Sequence, residues 1–126
     1  VASLGVDSGY VPYTSYCTTK NYLTENEKLI QSFTNALQKG MEYVNTHTPA
    51  EIAEVIAPQF EETDIDTIET IVTRYYNQDT WKDNLVFEES SFDLLQNILS
   101  DAGELDHRVP YDQLVDTSYA RNAVKK

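Results

Sequence analysis

The chain has 126 residues, with 21 Asp and Glu against 9 Lys and Arg for a net charge of −12, and 40% of its residues are hydrophobic. One domain of that length can bury roughly two thirds of its unfolded surface, and the acidity disfavours a surface that follows a phosphate backbone or an anionic membrane, so no nucleic-acid partner is expected. The single cysteine, Cys17, excludes an internal disulfide and a cysteine-built metal site.

The segment LGVDSGYVP suits a turn, because Asp7 and Ser8 can bond their local backbone and Gly9 accepts a positive φ. Val11 to Cys17, VPYTSYC, then alternates in β-branched and aromatic residues and reads as a strand. It has no evident partner downstream, where the pattern is helical. A first helix is predicted from Thr24-Glu25-Asn26-Glu27, read as a capping box. Leu29, Ile30, Phe33, Ala36, Leu37, Met41 and Val44 form its apolar stripe. Gly40 lies within this stripe, which predicts a neighbour in close approach.

Thr48-Pro49-Ala50-Glu51 is a second capping box with proline at the first helical position. Ile52, Val55 and Ile56 give the buried side of that helix, and Pro58 ends it. A third helix runs from about Asp64 to Tyr76, faced by Ile65, Ile68, Ile71, Val72, Tyr75 and Tyr76, with acids at its positive end. NQDTWKDNLV is a loop whose Trp81 packs back on the helices. Phe92, Leu95, Ile98, Leu99 and Ala102 mark a fourth helix from Glu89 to Asp101, stopped by Gly103. Short helices follow near Pro110 to Val115 and Thr117 to Val124.

Catalytic patterns are missing. His47 and His107 stand without ligand spacing and suit surface or cap roles, and no nucleophile signature surrounds Cys17, which on a strand is a small buried hydrophobe. The acidic runs EETDID and SDAGELD fail the calcium-loop spacing. No phosphate-cradling loop is present, no cofactor is implied, and the chain is not expected to be an enzyme. Tyrosine is abundant, with nine in all and Tyr10, Tyr13, Tyr16 and Tyr22 crowding the opening segment. Strand packing would place Tyr13 and Tyr16 against helices, whereas Tyr10, beside a turn glycine, would face ligand or solvent.

VPYTSYC, then KNYLTENEKLIQSFTNALQKGMEYVNTHTPAEIAEVIAPQF, a further helix, RYYNQDTW and FDLLQNILSDAGELDHRVPYDQLVDTSYA follow one another in an order that carries a resemblance. Together they resemble the C-terminal part of the substrate-binding proteins of ABC importers, in the branch that handles thiamine precursors, aliphatic sulfonates, taurine and nitrate. The resemblance implies a mainly α chain, four to six helices after one N-terminal strand, as the C-terminal part of a two-lobed α/β periplasmic-binding-protein-like (type II) fold. Residues 1–23 would be the crossover turn and a sheet or hinge strand, and 24–126 the helical C-terminal part of a lobe.

The same resemblance implies a small organic or anionic ligand held between lobes, an ABC permease as partner, and an extracytoplasmic place, periplasmic or as a membrane-anchored lipoprotein. Asp7, Ser8, Tyr10 and Tyr13, near the crossover, are its ligand-facing candidates in this chain. The apolar opening VASLG fits a C-terminal fragment, whose uncovered strand would let it dimerise or swap through Val11 to Cys17. Two other readings stay open: a free-standing all-α interaction module, and a pyrimidine-precursor synthase of the same fold.

Overall fold

In a computed structural model, which describes residues 4–125, every regular element is helical. They are α1 Leu4–Asp7, α2 Lys20–Glu25, α3 Glu27–Thr46, α4 Pro49–Ile56 followed by a 3-10 turn Ala57–Gln59, α5 Ile65–Asn77, α6 Glu89–Asp101, α7 Tyr111–Leu114 and α8 Ser118–Val124. The chain divides into two compact units, a central one from Ala36 to Leu85 and a flanking one from the described residues on either side, up to Asn35 and from Val86.

The central unit holds the last turns of α3 with α4 and α5. Its core is Ile52 and Ala53 from α4 with Ile68 and Val72 from α5, and Tyr43, Val44, Ile56, Ala57 and Trp81 pack against it. Ile68 and Val72 are four residues apart, the spacing that brings helical side chains to one face. Trp81 returns from the loop as its sequence predicts, with its ring centroid 5.9 Å from that of Tyr75. The Asn45 side-chain amide donates to the Lys82 carbonyl at 3.3 Å and ties the same loop to α3.

Local chemistry fixes the ends of the central helices. Thr48 and Glu51 form the expected capping box, with Pro49 in the first turn of α4. Asp64 caps α5 by accepting from the Thr67 amide at 2.9 Å. At the far end, the Thr80 amide donates to the Tyr75 carbonyl and the Asp79 amide to that of Tyr76, the paired bonds of a Schellman stop. Asp79 takes the left-handed position there at φ 54°.

In the flanking unit Phe92, Ala120 and Ala123 are buried. Phe92 packs edge-on to both Phe87 and Tyr111, with centroids 6.0 and 5.8 Å away, and the Tyr111 hydroxyl donates to the Phe87 carbonyl. The Gln31 amide joins α3 to α8, donating to the Tyr119 carbonyl and to Asn35 at 3.0 Å each while Asn122 donates to its oxygen at 3.3 Å. Helix α6 spans Glu89–Asp101 as predicted. It ends on Gly103 at φ +74°, with Gly103 bonded to Ser100 and Glu104 to Leu99 in another Schellman stop.

Several expectations change. No strand forms over Val11 to Cys17, nor anywhere else among the described residues. An extended segment becomes a strand only when another chain segment meets its backbone groups, and Pro12 removes one donor outright. Cys17 is accordingly exposed and is no buried core residue. Tyr13 is 99% exposed, so strand packing does not cover it either. Tyr16 does meet a helix, edge-on to Phe33 at 5.1 Å.

The helix expected from Thr24, with its apolar stripe, begins at Glu27 as α3, and a separate short helix, α2, precedes it from Lys20, capped by Thr19, whose hydroxyl oxygen accepts from the Tyr22 amide at 3.2 Å. The Thr24 hydroxyl donates to the Lys20 carbonyl within α2, so the reading of a capping box there is replaced by an ordinary helical back-bond. Finally, among the described residues nothing lies within 4 Å of where a Cβ on Gly40 would stand.

Candidate functional site

Asp7, Ser8 and Tyr10 follow one another through a turn at the end of α1. Asp7 is the last residue of that helix, Gly9 takes φ +75°, and the Val11 amide donates to the Gly9 carbonyl at 2.9 Å, closing a three-residue turn about Tyr10. A Cβ on Gly9 would lie 3.4 Å from a Leu94 methyl, so this turn rests on α6. Asp7 and Tyr10 are exposed and Ser8 is half-buried. Tyr13 stands in the extended segment beyond, facing solvent. The structure thus brings three of the four candidates onto one turn and leaves Tyr13 apart from them.

Such a turn can offer a carboxylate, two hydroxyls and an aromatic face to a small ligand. Two shallow depressions lie elsewhere on the surface. One runs along α5 between Asp66, Thr70, Ile71 and Arg74. The other, in the flanking unit, is lined by Glu89, Asp93, Gln96, Arg108, Tyr111 and Asp112.

The second depression is the better built of the two. Arg108 donates to Asn97 and, at 3.2 Å, to Asp93. Gln96 is buried and its side-chain oxygen accepts the Val109 amide at 2.7 Å, fixing the bend of DHRVPYD against α6. Burial, with Glu88 adding repulsion, pushes the Tyr111 hydroxyl above its usual value, so it stays protonated and keeps its bond to Phe87. Sequence alone does not single out this group, because Gln96 and Arg108 belong to no ligand-binding motif. The available signal is a lone arginine within an acidic stretch.

Elsewhere the marked electrostatics belong to helix ends. Backbone and side-chain bonds from Thr48 hold the Glu51 carboxyl below its ordinary value, and bonds from Thr67 do the same for Asp64. His47 is placed as a cap: its Nδ1 lies 2.8 Å from the Tyr43 carbonyl at the end of α3, and its ring stacks on Tyr43 at 3.6 Å. His107 is exposed. Among the described residues, no group of three or more His, Cys, Asp or Glu is placed to hold a metal ion, and no helix is long and apolar enough to cross a membrane.

Over all 126 residues the chain is 36% identical to a Bacillus subtilis (strain 168) protein named "Putative binding protein YtlA". The chain spans 38% of that relative's length. No family model matches the chain, and no solved structure matches it significantly.

Proposed function

We propose that this chain is the helical C-terminal part of an extracytoplasmic solute-binding component of an ABC importer, which holds a small organic or anionic ligand between two lobes and delivers it to a permease. The observation that carries the reading is the identity of 36% along every residue to a protein named for binding. The surface supports it. Large apolar side chains such as Tyr13, Tyr16, Leu29, Val55 and Leu114 stand exposed, while the buried apolar residues are few and mostly small or medium. A chain that exposes so much apolar surface has more to bury against the remainder of a longer protein.

In this reading the turn of Asp7, Ser8 and Tyr10, with Tyr13 beyond it, lies at the crossover between lobes, and the 126 residues alone bind ligand poorly because a cleft needs walls from both lobes. Binding by lobe closure requires no catalytic group. Uncovered, Val11 to Cys17 is the segment through which the fragment would pair with a second copy.

A thermal-shift screen of the full-length protein against pyrimidines, aliphatic sulfonates and nitrate tests the function. A ligand that binds only the folded state adds about 2.7 kcal/mol at a hundredfold excess over its Kd, enough to raise Tm by several degrees. One of the three classes is expected to do so; a folded full-length protein indifferent to all three, or one that turns a pyrimidine precursor over, overturns the proposal.

That every regular element among the described residues is a helix favours a second reading, a free-standing all-α interaction module. That reading requires the 126 residues to be monomeric in light scattering and to unfold in one steep transition.

A further inference from the structure

We draw no further inference here: the strongest candidate, the outward apolar patch of the flanking unit made by Leu29 and Phe33 of α3 with Tyr16 edge-on to Phe33, carries nothing beyond the function already proposed, because nothing in the structure shows what covers it.

Discussion

Thr48 and Glu51 cap α4 reciprocally. The Thr48 amide and hydroxyl both donate to one Glu51 carboxylate oxygen at 2.8 Å, and the Glu51 amide donates back to the Thr48 hydroxyl at 3.4 Å. Replacing Thr48 by alanine leaves an amide of the first turn without its acceptor and is expected to lower stability by about 1 kcal/mol. The bonds from Thr48 also depress the Glu51 pKa from its ordinary 4.5. A depressed carboxylate contributes stability that is fully present above the unfolded value and is lost as pH falls through the folded one. Wild type should therefore exceed Glu51→Gln in urea unfolding at pH 7 and converge on it in acid below the carboxylate range. A gap that persists unchanged into acid would show that the carboxylate charge is not what the cap uses.

Gly103 closes α6 at φ +74° in open surroundings, with nothing within 4 Å of the place a Cβ would occupy. Its requirement is conformational alone, so Gly103→Ala should destabilise by roughly 1–2 kcal/mol, the cost of a left-handed L-residue. Gly103→Asn should recover part of that loss, because asparagine tolerates the same region. Equal stabilities for all three by chemical denaturation would mean that the stop of α6 is made by another residue.

Gly40 gives the opposite sign. It sits inside α3 at helical φ with space around it. Gly40→Ala should raise stability by roughly 0.5–1 kcal/mol, since alanine has less backbone freedom to lose and meets no neighbour. A loss in the 126-residue chain would reveal a close packing contact at this position. A gain there with a loss in a longer protein would place that contact in the additional chain.

Much of this architecture is legible in the sequence wherever a residue acts on its own neighbours. Thr48 with Glu51, Asp64, Glu89 to Asp101 and Gly103 are readable because capping and stops depend on atoms within a few residues. Sequence pattern fails where long-range partners decide. Val11 to Cys17 has the pattern of a strand, but strand pairing is a tertiary event. On α3 the apolar stripe reads as buried, yet Leu29 and Phe33 face outward and the residue most covered is Gln38. The candidate turn at Asp7 to Tyr10 is visible from its glycine and its hydrogen-bonding side chains. The Arg108 and Gln96 depression is not, because it depends on the bend after α6 folding back.

Ile68 and Val72 sit at the centre of the four-residue core of the central unit, with Trp81 against it. Ile68→Ala removes three buried carbons from a site that is 3% exposed and should cost about 2–5 kcal/mol. As Trp81 is the only tryptophan, its emission reports this unit directly. The expected result is a lowered urea midpoint in tryptophan fluorescence. An unshifted midpoint would mean that Trp81 reads a region independent of the α4 and α5 core.

Gln38 is 4% exposed, and its side-chain oxygen has no hydrogen-bond partner among the described residues. Its nitrogen reaches Glu42 only at 3.5 Å, the limit of a useful bond. A buried acceptor left unsatisfied costs roughly 1–3 kcal/mol, whereas an apolar group of similar shape carries no such penalty. Methionine has the length and flexibility to occupy the same volume. Gln38→Met is therefore expected to leave stability unchanged or raise it by about 1 kcal/mol, a fraction of that penalty. Gln38→Glu, which puts a charge in the same place beside Glu42, should destabilise strongly at neutral pH and recover in acid as the carboxyl becomes neutral. The pair of urea curves separates the two causes: loss in both variants at every pH would mean that the amide oxygen accepts a bond essential to the packing of α3, and loss confined to the glutamate at neutral pH would identify an acceptor that the fold tolerates without using.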